Sequence, residues 1–163
     1  MKTTEQRIFL LVIMLLVCTG ISFAQATHLV TLHVDTQQLN DGNNKKAFSL
    51  SASQGTTVEN SDDPEEFTII VNENDEIEWE GVASSGAIVD IEEIEILDDP
   101  TKPNRAKVFK NKINKGKKKN GKKKIKEKVK ANTKNNVYKY FIRFTIGTTS
   151  FEIDPKIKVS GSS

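Results

Sequence analysis

Apolar and polar residues alternate along this chain with a period of two rather than 3.6, the spacing of strands half-buried against a core. His28–Val34 reads as a first strand, rich in β-branched residues and ending at Asp35. Gln37–Lys46 is polar, with turn chemistry at Asp41-Gly42-Asn43-Asn44, and Ala47–Ala52 comes next as a short strand with Phe48 and Leu50 on one face. Gln54–Pro64 is a loop by composition. Phe67–Val71 is a strand, Asn72–Asp75 a turn, and Ile77–Gly81 alternates apolar with acidic residues. Ala87–Asp90 and Ile94–Leu97 read as two further strands, closed by Asp98-Asp99-Pro100, since proline does not continue a ladder. The longest alternation comes late, with Tyr138, Tyr140, Ile142, Phe144 and Ile146 on one face and Lys139, Phe141, Arg143 and Thr145 on the other. Gly147 ends it, and Phe151–Ile153 and Ile157–Val159 complete the series. No long apolar pattern at helical spacing and no internal repeat is present. The expected fold is all-β, an antiparallel β-sandwich of immunoglobulin-like or cupredoxin-like type.

The first 26 residues do not fit that pattern. Lys2 and Arg7 precede a short apolar run, Ile8–Cys18, and Ser22-Phe23-Ala24-Gln25-Ala26 is a small-residue exit, the layout of a secretory signal peptide. Cleavage after Ala24 or after Ala26 suits a signal peptidase equally. The apolar run is shorter than the ~20 residues of a spanning helix, and Thr19-Gly20 interrupts it. The chain of 163 residues then reads as a leader over 1–26 and one β domain over 27–163, secreted or periplasmic, with no stable membrane span after processing. Its one cysteine, Cys18, leaves with the leader, so no disulfide, cysteine nucleophile or thiolate metal site is expected.

Net charge is only +2, but the charge is separated in blocks. Between Glu59 and Asp99 lie sixteen acidic residues and no lysine or arginine, whereas residues 105–134 carry most of the positive charge, with Glu127 as the only acid. As a helix, the basic stretch would stack Lys122, Lys126 and Lys130 and be interrupted by Gly116 and Gly121. As a hairpin it has an apolar face. A two-residue turn at Asn120-Gly121 would put Ile113 opposite Lys128 and separate the apolar side chains. Parity therefore favours Ile113 opposite Ile125 and Phe109 opposite Val129, with residues 114–124 as a flexible tip. That register sets Lys110 against Lys128 and Lys112 against Lys126, and like charges face to face ask for an anion. The chain's own acidic block is one source. An external polyanion or a neighbouring copy's acidic surface is another. The candidate polyanion-binding residues are Lys115, Lys117, Lys118, Lys119, Lys122, Lys123, Lys124 and Lys126.

Catalytic patterns are missing. His28 and His33 point to opposite faces of one strand and cannot chelate one metal from it. Asp62-Asp63 with Glu65-Glu66 would hold a divalent cation only weakly, and lacks the alternate-residue spacing of a helix-loop-helix calcium loop. There is no phosphate-cradling glycine loop and no serine elbow. Trp79, Tyr138, Tyr140 and Phe144 are core residues by strand period rather than a ligand platform.

Three stretches, in this order along the chain, resemble the PixA/AidA inclusion-body protein family: Val30–Thr36, Phe67–Trp79 (FTIIVNENDEIEW) and Tyr138–Val159 (YKYFIRFTIG…FEIDPKIKV). The resemblance implies a β-sandwich with a strand-turn-strand unit ending in an Asp-x-Ile-x-Trp-like pattern and an Asp-Pro-containing finish. It supplies no catalytic residues. Pieces such as Asn72–Trp79 also occur in cupredoxin-like folds. The chain departs from the family in its export leader and its lysine insertion. The expectation is a non-enzymatic binding or structural module with no cofactor or metal. Its partner would be an anionic polymer (polysaccharide, lipopolysaccharide) or an acidic protein surface, met through the lysine hairpin. Self-association between acidic and basic surfaces is the alternative.

Overall fold

The computed structural model describes residues 25–40 and 44–161. The expected leader, apart from Gln25 and Ala26, lies outside the described residues, as do Asp41, Gly42 and Asn43 of the expected turn. The strands are β1 (Thr27–Val34), β2 (Phe48–Ala52), β3 (Thr57–Glu59), β4 (Thr68–Val71), β5 (Glu76–Ala83) and β6 (Val89–Ile96). They continue as β7 (Ile113–Lys115), β8 (Lys117–Lys119), β9 (Lys122–Lys128), β10 (Val137–Ile146), β11 (Thr149–Ile153) and β12 (Lys156–Val159). Two short helices, α1 (Thr36–Asn40) and α2 (Asn44–Ala47), occupy the stretch that reads as polar loop. Asp35 supports α1 as an N-cap, its Oδ1 accepting from the backbone N–H of Gln37 and Gln38.

Two sheets share one core. One has the order β2-β1-β5-β9-β8; the other runs β3-β4-β12-β10-β6-β7, with β11 also on β10. The pairings are mixed, not wholly antiparallel as expected: β1 runs parallel to β5, and β4 parallel to β12. The connectivity explains this. Neither pair is joined by a hairpin; the chain leaves β1 and β2, visits the other sheet as β3 and β4, and returns to β5. β3 itself falls inside the stretch that composition assigns to a loop.

The alternating residues pack as the sequence pattern requires. Val30, Leu32 and Val34 of β1, Ile77 and Trp79 of β5, and Tyr138, Tyr140, Ile142 and Phe144 of β10 are all buried. Each such side chain contributes about 1.5–3 kcal/mol when taken out of water. The Trp79 Nε1–H donates to the Tyr140 hydroxyl at 3.1 Å, and the two rings meet edge to face, tying the sheets together and satisfying both polar atoms. Burial pushes the Tyr140 hydroxyl well above its ordinary titration range.

The strand β6 is irregular. Residues 89–96 form a single strand, not the two expected ones, because a bulge lies where Arg143 pairs with Glu93 and Phe144 with Ile91. Val89 and Ile91 face inward before the bulge, Ile94 and Ile96 after it, so the parity of the strand changes in mid-course. Glu92 is the extra residue.

Candidate anion-binding surface

The lysine stretch is a strand that changes sheets. β7 pairs with β6, through Glu93–Lys115 and Glu95–Ile113, and after one residue, Gly116, β8 pairs with β9. A side chain at Gly116 would meet the Ile91 carbonyl oxygen at 2.0 Å, so only glycine lets the chain cross that close to β6. β8 and β9 are then joined by the two-residue turn Asn120-Gly121, both with positive φ, 51° and 85°. This is the turn type that Asn-Gly favours.

This corrects the expected register. Lys117 lies opposite Lys124, Lys118 opposite Lys123 and Lys119 opposite Lys122, while Ile125 pairs with Trp79 and Ile113 with Glu95. Residues 114–124 are the end of β7, the whole of β8, a tight turn and the start of β9, not a loose tip. Phe109 and Val129 are buried as expected, but Ile113 is 46% exposed and Asn114 is buried in its place, its Oδ1 without a hydrogen-bond partner. Parity reasoning fails here because it assumes one continuous flat sheet, and the crossing at Gly116 removes that condition.

The acidic strands flank β9. Lys122 pairs with Glu80 at 3.1 Å, Lys124 with Glu80 at 2.5 Å and Glu78 at 3.2 Å, and Lys126 with Glu76 at 2.7 Å, all on β5. Across to the other sheet, Lys123 pairs with Glu92 at 2.6 Å; within that sheet, Lys115 of β7 meets Glu93, which also pairs with Arg143. The bulge in β6 supplies the Glu92 carboxylate to this set. The Lys123 backbone N–H donates to Asp90 at 2.5 Å. These contacts mark the titration of both partners. Burial disfavours the ionised form of Glu80, but hydrogen bonds from Lys124 and Lys122 outweigh it and lower its pKa. The hydrogen bond from Lys115 lowers Glu93, with Arg143 reinforcing it, and bonds to Glu92, Glu80 and Glu76 raise Lys123, Lys124 and Lys126.

The structure therefore divides the eight candidate lysines. Lys115, Lys122, Lys123, Lys124 and Lys126 are engaged with the protein's own carboxylates. Lys117, Lys118 and Lys119 are exposed on β8 and make no ion pair among the described residues. A hollow of about 200 Å³ lies beside β8, where Lys115, Lys117, Lys119, Lys124 and Lys126 outnumber Glu78 and Glu127. Burial raises the pKa of Glu127, opposed by the positive charge of Lys117 and Lys110. Lys110 belongs to this neighbourhood and sequence reasoning did not select it. Its signal was Glu127, the one acid in the run.

His28 is buried and His33 exposed, on opposite faces of β1, and no group of three or more metal-ligating side chains occurs among the described residues. Asp62, Asp63 and Glu65 are exposed, and Glu66 pairs with Lys156. Trp79, Tyr138, Tyr140 and Phe144 are core. No helix among the described residues is long and apolar enough to cross a membrane. A second hollow, about 280 Å³, lies between residues 97–112 and Tyr138. The Arg105 guanidinium in its wall is committed to the carbonyls of Val137 and Leu97 and to the face of Tyr138.

No family model matches the chain, and no curated protein is similar to it in sequence. Among solved structures it is similar to the crystal structure of inclusion body protein PixA from Burkholderia cenocepacia J2315. The match covers 86% of this chain and 99% of that one, with a TM-score of 0.61 and 9% sequence identity. At that identity the likeness shows the fold, in agreement with the resemblance carried by Val30–Thr36, Phe67–Trp79 and Tyr138–Val159.

Proposed function

We propose that this protein is an exported, non-catalytic β-sandwich module that contacts an anionic partner, a polysaccharide, lipopolysaccharide or comparable polyanion, through β8. The observation that carries the proposal is the unequal pairing of the two hairpin strands: Lys122, Lys123, Lys124 and Lys126 of β9 are paired with the protein's own carboxylates, and Lys117, Lys118 and Lys119 of β8 make no ion pair among the described residues. The contact surface is thus narrower than the lysine run, centred on β8 and the hollow beside it, with Lys110 at its margin. The leader-like residues 1–26 support the extracytoplasmic setting.

Retention on a heparin column tests it. Changing Lys117, Lys118 and Lys119 to glutamine should bring elution forward to clearly lower salt and reduce the log–log salt slope of binding by about 2–3, one increment per lost counterion displacement. A control that removes the same charge elsewhere, Lys102→Gln with Lys107→Gln and Lys134→Gln, should move elution much less. Equal shifts would reduce the effect to net charge and sink the β8 site.

A second reading is favoured by what remains unpaired on the acidic side. Asp62, Asp63 and Glu65 are exposed and make no ion pair among the described residues, and they lie between β3 and β4, at the far edge of the strand order from β7. β8 and that acidic loop therefore sit at opposite edges. A head-to-tail contact between copies can propagate as a filament. Sedimentation at high protein concentration and low salt checks this. A strict monomer there removes the second reading and leaves the first untouched.

A further inference from the structure

The first described residues are tied to a buried carboxylate. Asp75, 4% exposed, sits in the turn before β5, and its Oδ1 accepts from the Ala26 backbone N–H at 3.0 Å. Its Oδ2 takes the Asn72 N–H at 2.7 Å and faces His28 Nε2 at 3.1 Å. The other ring nitrogen of His28 bonds Thr56 Oγ1 at 2.9 Å. The carbonyl of Ala26 in turn accepts from Glu76 N at 2.8 Å, the first rung between β1 and β5. Asp75 also accepts from Val129 N at 2.9 Å through its backbone, so the same residue holds the end of β9. Ala26 is an integral member of this hub, and Gln25, just outside it, is exposed.

The two leader cleavage points that sequence leaves equal are not equal here. Cutting after Ala26 deletes the donor to Asp75 Oδ1 and the acceptor for Glu76, and leaves part of a buried carboxylate without its partner, a costly arrangement. The ammonium created on Thr27 would sit one residue out of register. Cutting after Ala24 keeps both bonds and places the new ammonium on exposed Gln25, where water solvates it.

Resting on the reading that the chain is exported, we infer that the mature protein begins at Gln25 and that this residue is a modification site, closing to pyroglutamate. The uncharged α-amine attacks the side-chain Cδ, a five-membered lactam forms, and the carboxamide nitrogen leaves as ammonia. No oxidant or co-reactant is needed. The exposed Gln25 side chain makes no hydrogen bond among the described residues that would hold it back. The product is a neutral chain end beside the Asp75 hub.

Expression of the full chain in an exporting host, followed by intact mass of the extracytoplasmic protein, tests this. The expected mass is that of residues 25–163 less one ammonia. Retention of the full-length chain in the cytoplasm, with none recovered outside it, would overturn the export reading itself, and an uncleaved mass outside would overturn the cleavage. The mass of residues 27–163 would leave export standing and overturn the start at Gln25, and residues 25–163 with the ammonia retained would overturn the ring closure. A Ser22→Asp change disfavours cutting after Ala24 and redirects it to Ala26. The redirected protein should melt about 5 °C lower or fail to accumulate. An unchanged Tm would overturn the role assigned to the Ala26–Asp75 bond.

Discussion

β8 and β9 are two arms of one hairpin with nearly the same letters, Lys-Lys-Lys on one side of Asn120-Gly121 and Lys-Lys-Lys on the other, yet they have opposite electrostatic fates. β9 lies inside its sheet, with Glu76, Glu78 and Glu80 on the neighbouring strand and Glu92 reaching over from β6. β8 is the edge. A lysine beside acidic strands is a structural counterion, whereas a lysine on an edge strand is solvated and also discourages edge-to-edge pairing with other chains. The number of lysines in a run therefore overstates the field the protein offers to a partner. Position in the sheet decides which of them count.

The difference between the two arms depends most on the crossing at Gly116 that creates it. Gly116→Ala places a methyl group against the Ile91 carbonyl, which is backbone and cannot yield cheaply, and should cost about 3 kcal/mol or more. Gly121→Ala meets nothing within 4 Å and has only its positive φ of 85° to contend with, so about 1 kcal/mol is expected. Urea unfolding of the two variants measures the difference. Equal losses would mean that the turn, not the crossing, fixes the hairpin.

Acid should come next in size. Glu80 and Glu93 ionise more readily in the folded chain than at the ordinary glutamate value of 4.5. A folded-state pKa below the unfolded one contributes stability that is present above about pH 4.5 and is lost as pH falls through the folded value. Lys124 and Lys126, raised above 10.5, contribute stability that persists below that pH and is lost as pH rises through their folded values. Tm should be level between these limits and fall by about 10 °C between pH 5 and pH 2. A Tm that holds to pH 2 would show that the β5–β9 ladder contributes little.

Single lysines come after that. Lys124→Ala leaves Glu78 and Glu80 without a shared cation, each with under a fifth of its side chain exposed, and should cost about 1–2 kcal/mol after allowance for the remaining solvent screening. Urea unfolding measures it, and an unchanged midpoint would show that Lys122 alone suffices for Glu80.

Strands were legible in the sequence wherever parity was unbroken, as in Val30–Val34 of β1 and Tyr138–Phe144 of β10. They were misread where the backbone itself altered the count. The bulge at Glu92 made one strand look like two, and the crossing at Gly116 made Asn120-Gly121 look like a poor turn when it is the turn used. Internal neutralisation was foreseeable as a sum, because the acidic block had no cations of its own. It was not foreseeable as a set of pairs, since Glu92 reaches Lys123 across the two sheets. The eight candidate lysines divide for the same reason. Sequence shows the charge of a run, and only strand order tells which members already have partners.

The smallest effect is the sharpest test of that division. Each β8 lysine faces a β9 lysine, Lys117–Lys124, Lys118–Lys123 and Lys119–Lys122, and like charges directly opposite are mildly destabilising. Since the β8 members have no ion pair to lose among the described residues, and only Lys117 acts on a carboxylate, that of Glu127, replacing all three with glutamine removes more repulsion than attraction. Tm should rise by about 1–2 °C at low salt. The gain should shrink as ionic strength shortens the Debye length to about 3 Å near 1 M, because screening already relieves the same repulsion in the parent protein. A fall in Tm at low salt would show that Lys117, Lys118 and Lys119 are held by partners of the protein's own. They would then be structural counterions like those of β9, and β8 would have no cations to offer an outside anion.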